Sequence, residues 1–125
     1  MEFKIDTKDT FSTITPVAAQ INANLTGALR EKCGEIGQSG SNNFIVDLHH
    51  CASIDPDTID ELLSLHEEIY GSDHSLVFTG ICGDVLAALR AVEADLVLNV
   101  APRMQEAIDI ISMEILERDL LGEED

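Results

Sequence analysis

The sequence has few basic residues. Lys and Arg total 7 against 24 Asp and Glu, and the formal net charge at pH 7 is -17. A chain this acidic repels the phosphates of nucleic acids and the surface of an anionic membrane, so we expect it to bind neither. The charge favours protein partners instead, in particular a partner with a basic face.

The sequence also lacks an apolar run of about 18 residues and a charged leader followed by an apolar segment. We therefore expect neither a membrane-spanning helix nor a secretory signal, and we expect a cytoplasmic location. A chain of 125 residues is long enough for one domain with a core and too short for two ordinary ones. Residues 1–125 are expected to form one domain.

Cysteine and histidine do not occur at metal-binding spacing. Cys33, Cys51 and Cys82 are odd in number and lie in or beside apolar segments, which predicts reduced core thiols rather than disulfides. His49 and His50 are adjacent, but no zinc-type spacing supplies further ligands. No nucleophile-elbow or phosphate-loop pattern occurs. We predict that the protein is not an enzyme and uses no cofactor or metal.

Short apolar strands alternate with amphipathic helices along the chain. Residues 3–5 and 11–17 show period-2 patterns separated by a turn, which predicts an N-terminal hairpin, and Pro16 predicts that the second strand is an edge strand or bends. The β-branched run Phe44–Leu48 predicts a central strand buried on both faces. Residues 75–79 predict another buried strand, and Leu96–Val100 predict the last one.

Four helices are predicted between and after these strands. Their apolar stripes run over 25–36, 59–69, 85–92 and the C-terminal segment 102–121. Asn22 or Asn24 is the expected cap of the first helix, and Gly34, Gly37 and Gly40 are expected to end it. The last helix precedes a short acidic tail, 122–125.

The alternation predicts parallel pairing through right-handed crossovers, with the opening hairpin as a mixed edge. The predicted fold class is therefore α/β, a small sandwich with a mixed sheet of about five strands and about four helices. The C-terminal helix has an unusually wide apolar face. Its predicted inward residues are Met104, Ala107, Ile108, Ile111 and Ile115, widened by Ile110, Met113 and Leu120.

A strong helix-start signal follows the central strand. Asp55 can cap the unpaired N–H groups, and Pro56 suits the first helical position because its missing N–H would be unpaired there. Asp57 is favoured at the positive end of the helix dipole. The sequence therefore predicts that a helix begins at Asp55–Thr58.

The segment Val46-Asp47-Leu48, followed by a short link and Ile54-Asp55-Pro56-Asp57-Thr58, resembles the STAS domain. This family includes sulfate transporters and anti-sigma-factor antagonists. The resemblance extends to Gln20-Ile21-Asn22, which occupies the family's Gly-x-[Leu/Ile]-Asp turn. It implies a STAS-like fold over most of the chain.

Bacterial single-domain members of that family usually carry Asp-Ser-Ser-Gly at this turn, and the first serine is phosphorylated by an anti-sigma factor that is itself a kinase. The corresponding residue is Pro56, which has no hydroxyl, so the resemblance implies that the usual phosphosite is lost. Asp57 either imitates a phosphoserine or is an ordinary first-turn residue. Thr58 is either an alternative phosphosite or bonds locally.

The resemblance implies a regulatory protein that binds a kinase-type anti-sigma factor, a histidine-kinase-like ATPase, in partner switching. The implied partner-binding residues are Asn22, Asn24, Asp55, Asp57 and Thr58. Without the phosphorylatable serine, the chain would either bind this partner constitutively or no longer bind it. The alternative is a scaffold or self-associating module, a homo-oligomer held by the wide apolar face of the C-terminal helix.

Overall fold

A computed structural model describes residues 2–123. The strands are β1 Phe3–Thr7, β2 Ser12–Pro16, β3 Gln20–Ile21, β4 Phe44–Asp47, β5 Ser53–Ile54, β6 Leu76–Thr79 and β7 Val100–Ala101. The helices are α1 Ala23–Ser39, α2 Ile59–Gly71, α3 Gly83–Ala91 and α4 Met104–Glu123, with 3₁₀ turns at Pro56–Thr58 and Ala94–Leu96. None of these helices combines the length and the apolar character that a membrane span requires.

The main sheet has five strands in the order β1-β2-β4-β6-β7. The β1–β2 pair is antiparallel, and each of the other three pairs is parallel. The helices between the parallel strands provide the crossovers that such pairing requires. The predicted hairpin, the central position of β4 and the mixed α/β sheet are confirmed.

The two faces of the sheet are covered differently. Alternate residues of a strand point to opposite faces, and Ile14, Val46 and Phe78 pack in the core that α1, α2 and α3 cover. Ile45 and Val77 belong to the second core, together with the apolar side of α4. Three helices therefore lie on one face, and α4 covers the other.

Of the two alternatives predicted from Pro16, an edge strand or a bend, the edge strand is wrong. β2 lies between β1 and β4, and Pro16 is its last residue. The pairing of β2 with β4 covers only Ser12 to Ile14. The ladder therefore needs no N–H from Pro16 on that side, and a proline is tolerated.

Two further boundaries differ from the predictions. The last strand is only Val100–Ala101, because Ala94–Leu96 form a 3₁₀ turn in which Ala94 is buried and Leu96 is exposed. Helix α1 does not end at its first glycines but continues to Ser39. A glycine inside a helix costs about 1 kcal/mol, and the buried side chains Leu25, Leu29 and Cys33 hold the helix against the sheet.

The C-terminal helix begins at Met104, two residues after Pro102, and includes Gly122 and Glu123. The remainder of the acidic tail, Glu124 and Asp125, lies outside the described residues.

Candidate partner-binding site

A second, two-stranded sheet joins the two segments from which binding residues are predicted. β3 and β5 are parallel, with Gln20 opposite Ser53 and Ile21 opposite Ile54. β3 leads directly into α1, and β5 leads into the 3₁₀ turn before α2. Because the strands are parallel, both helix starts lie at the same end of this small sheet.

A backbone hydrogen bond joins the two helix starts. The N–H of Asp55 donates to the carbonyl oxygen of Ile21 at 2.9 Å. Residue 22 follows one partner of this bond directly, so the Asn22–Asn24 segment lies beside the turn Asp55–Thr58. The structure thus brings together the two segments that were predicted to bind a partner.

Each helix start carries the cap that its sequence favours. Asn22 Oδ1 accepts a hydrogen bond from the N–H of Leu25 at 3.0 Å, which makes Asn22, not Asn24, the cap of α1. Asp55 Oδ1 accepts from the N–H of Asp57 at 3.1 Å. Pro56 opens a 3₁₀ turn, and α2 itself begins only at Ile59. Such turns are frequent at helix N-termini.

Part of the predicted site is on the surface. The side chains of Asn24, Pro56 and Asp57 are exposed, while Asn22 and Asp55 are half-buried. Among the described residues, the Asp57 carboxylate forms no ion pair. Asp60, in the first turn of α2, adds another exposed carboxylate. This surface is acidic, so its charge is complementary to that of a basic protein surface.

Thr58 is buried, whereas a residue that binds a partner is expected to be exposed. Its side chain is 2 % exposed, and its hydroxyl lies 2.7 Å from the Asp55 carbonyl oxygen and 3.4 Å from that of Ile21. The hydroxyl therefore bonds locally, the alternative that the sequence leaves open. Because the side chain of Thr58 is buried, it is not exposed for contact with a partner. It instead stabilises the hydrogen-bonded contact between the two helix starts.

A third helix, α3, also contacts this region, and the sequence does not indicate that contact. Cys82 is the N-cap residue of α3, and its thiol donates to the carbonyl oxygen of Ala52 at 3.5 Å. Ala52 precedes β5, so this contact links α3 to the strand that leads into the turn. The only sequence signal is the glycine-flanked segment after β6, which indicates a turn but not its neighbour.

The three cysteines are free thiols, and the pKa values of Cys33 and Cys51 are raised. Burial raises the pKa of Cys33 to about 12, although the charge of Arg30 acts in the opposite direction. The pKa of Cys51 is also raised, first by burial and then by the neighbouring Cys82. A nucleophilic cysteine needs a lowered pKa, so neither thiol has that character. Cys82 is half-buried, at the edge of the core rather than inside it.

One of the two adjacent histidines, His49, has a local structural partner in Asp47. Asp47 Oδ1 accepts from the backbone N–H of His49 at 3.1 Å and lies 3.0 Å from its Nδ1. Over residues 2–123, no three His, Cys, Asp or Glu side chains are grouped so that they could hold a metal ion.

Solved structures share this architecture. A candidate anti-sigma factor antagonist from Thermotoga maritima matches with a TM-score of 0.74 and 14% identity, over 88% of this chain and 94% of that one. An anti-sigma factor antagonist from Mycobacterium paratuberculosis matches with a TM-score of 0.73 and 13% identity, over 89% and 93%. SpoIIAA of Bacillus, in its phosphorylated form, matches with a TM-score of 0.61 and 12% identity, over 88% and 99%.

No family model matches the sequence. No curated protein matches it either. At such low identity the structural likeness shows the fold alone. The chain has the STAS fold, as the residues around Asp55 imply.

Proposed function

We propose that this chain is a non-enzymatic regulatory protein that binds a kinase-type anti-sigma factor, as an anti-sigma-factor antagonist does. The bound surface is formed by Asn22–Asn24 and by the exposed residues of the turn Asp55–Thr58. The cell compartment is the cytoplasm, where such a partner would act.

The observation that supports this proposal is the backbone hydrogen bond between Ile21 and Asp55. It holds two capped helix starts side by side, with Asn24, Pro56 and Asp57 exposed on the surface. Residues fixed by backbone bonds lose little conformational freedom on binding, which favours a recognition surface. The same turn carries the resemblance to the antagonist family.

The proposed protein binds constitutively. Pro56 occupies the position of the phosphorylated serine and has no hydroxyl to accept phosphate. Thr58 does not replace it, because its hydroxyl is buried and bonded to the backbone. Asp57 acts as a first-turn residue whose N–H is capped by Asp55. The kinase partner would therefore bind this chain without being able to release it by phosphorylation.

Affinity capture from extract of the native cell tests this proposal. Three forms serve as bait: the parent, Asp57→Lys, and the matched control Asp9→Lys, which makes the same charge change in the exposed loop between β1 and β2. We expect a histidine-kinase-like ATPase with the parent and the control, and at least a tenfold loss with Asp57→Lys. Recovery of no such ATPase, or equal recovery by all three, would overturn the proposal.

Phosphate transfer tests the loss of the switch separately. The captured ATPase, supplied with ATP, should leave the parent unmodified and phosphorylate a Pro56→Ser variant, as seen by mass spectrometry. Phosphate on Thr58 of the parent would show that the switch has moved rather than disappeared, and would contradict constitutive binding.

The alternative class is a scaffold module, and the surface that it would use lies on the C-terminal helix. The C-terminal helix exposes Met113, Leu116 and Leu120 to solvent. Exposed apolar side chains that lie together often mark an interface. Sedimentation of the purified chain distinguishes a self-associating scaffold, which would form oligomers, from a monomeric antagonist.

A further inference from the structure

The outward side of α4 carries an apolar stripe that the fold does not use. Met113, Leu116 and Leu120 are 61%, 58% and 52% exposed and stand at positions i, i+3 and i+7. Residues at this spacing lie on one face of a helix and match one repeat of a helix–helix seam. We call these three residues the outer stripe.

The outer stripe lies opposite the side of α4 that packs on the sheet. Ala107 and Ile111 are fully buried, in the same core as Ile45 and Val77. At 3.6 residues per turn, the outer stripe points roughly away from these residues. The prediction that Met113 and Leu120 widen the inward face is therefore wrong. The other apolar side chains of α4 are enough to cover this face of the sheet.

Within the described part of α4, the exposed charges beside the outer stripe are negative. Asp109, Glu117 and Asp119 are exposed on the same helix. Arg118, a cation of α4, is turned to the sheet side, where it donates to Ser75 Oγ at 2.9 Å. It is half-buried and does not offset the acidic flanks. A partner helix would meet apolar side chains flanked by carboxylates.

A second copy of this chain is a poor occupant of such a surface. Two outer stripes in contact would bring the flanking carboxylates of both helices together, which destabilises a helix pair. Each copy also carries a net charge of -17, so long-range repulsion opposes the approach. An occupant with lysine or arginine beside its apolar residues has the complementary charge.

We propose that the outer stripe docks a cationic amphipathic helix of another protein. The contact is independent of the proposed function, because the turn at Asp55 belongs to the start of α2, whereas α4 lies on the other face of the sheet. One chain could therefore hold two partners at once.

Three synthetic peptides of about three heptads test the proposal against the full chain by fluorescence anisotropy. The first has leucine at the seam positions and lysine at the flanks. The second replaces lysine by glutamate, and the third keeps the lysines but scrambles the leucines. We expect the first to bind at least tenfold more tightly than either of the others, and more weakly at high salt.

Substitutions locate the contact. Leu116→Glu places a charge in the outer stripe and should weaken binding of the first peptide about tenfold or more. The matched control Ala87→Glu adds the same charge at an exposed position of α3 and should bind as the parent does. Circular dichroism of both variants establishes that they are folded, as expected for substitutions at exposed positions.

Three results would overturn the proposal. Equal binding of the lysine and glutamate peptides would show that charge complementarity does not select the partner helix. Unchanged binding by the folded Leu116→Glu variant would place the contact elsewhere. A dimer of the parent that Leu116→Glu converts to monomer in sedimentation would show that the occupant is a second copy of this chain.

Discussion

The backbone N–H of Asp55 donates a 2.9 Å hydrogen bond to the carbonyl oxygen of Ile21. This bond couples the residue before the cap of α1 to the residue that caps the next helix start. Since both partners are backbone atoms, side-chain substitutions at the turn leave the bond in place. Stability and partner binding at this surface can therefore be separated by choosing which side chain is changed.

The two asparagines at the start of α1 should differ in their effect on stability. Asn22→Ala removes the oxygen that accepts from the N–H of Leu25 and should lower the free energy of unfolding by about 1 kcal/mol. Asn24→Ala, at an exposed position without a capping bond, should change it by less than about 0.5 kcal/mol. Urea denaturation measures both. Equal losses would contradict the assignment of the cap.

Thr58 should behave as a structural residue. Thr58→Val keeps the shape but removes the hydroxyl bonded to the Asp55 carbonyl oxygen, and should cost about 1 kcal/mol in urea denaturation. Thr58→Asp buries a carboxylate and should cost about 2 kcal/mol or more. A Thr58→Asp variant as stable as the parent would mean that a phosphate could be accommodated there.

Gly80 should not tolerate a side chain. Its φ is +70°, and an added Cβ would lie 2.3 Å from Asp47 Oδ1 and 3.1 Å from the His49 nitrogen. Gly80→Ala should therefore destabilise the protein by about 1–3 kcal/mol in thermal or urea unfolding. Gly27→Ala is the control, because nothing lies within 4 Å of the added Cβ in this exposed helical position. It should stabilise the protein by about 0.5–1 kcal/mol.

His66 should make stability depend on pH. Its Nδ1 is buried without a hydrogen-bond partner in the described residues, and burial lowers its pKa from 6.5 despite the opposing charges of Glu114 and Glu67. Below about pH 6.5 the unfolded chain takes up a proton that the folded chain resists, so stability falls as the pH falls.

The measurement for His66 is the urea midpoint between pH 7.5 and pH 5.5. The parent should lose more stability over this range than a His66→Gln variant, in which that proton uptake is absent. Carboxylates that titrate in both proteins cancel in the comparison. Parallel curves would contradict the assignment.

Local signals predicted the elements that depend on near neighbours. β1, β2, β4 and β6 have enough residues to show an apolar pattern, and the caps Asn22 and Asp55 bond to N–H groups two or three residues away. These interactions join residues that are close together in the chain, and they can therefore be predicted from the sequence.

The parts that the sequence did not predict depend on distant neighbours. β3 and β5 have two residues each, too few for a period-2 pattern, and they form only because they pair with each other. The burial of Thr58 requires the carbonyl of Ile21 beside it. Pro16 could be placed inside the sheet only once the length of the β2–β4 pairing was known.

The acid surplus, the helix starts and the lack of a hydroxyl at Pro56 follow from the residues alone, because each is a property of single residues or of short spacing. The side of α4 that is buried, in contrast, depends on how the helix packs on the sheet. Apolar residues occur both on the buried side of that helix and on its exposed side, so periodicity cannot select a face, and the sheet covers only one of these sides. The backbone hydrogen bond between Ile21 and Asp55 likewise exists only after the chain has brought two distant segments together.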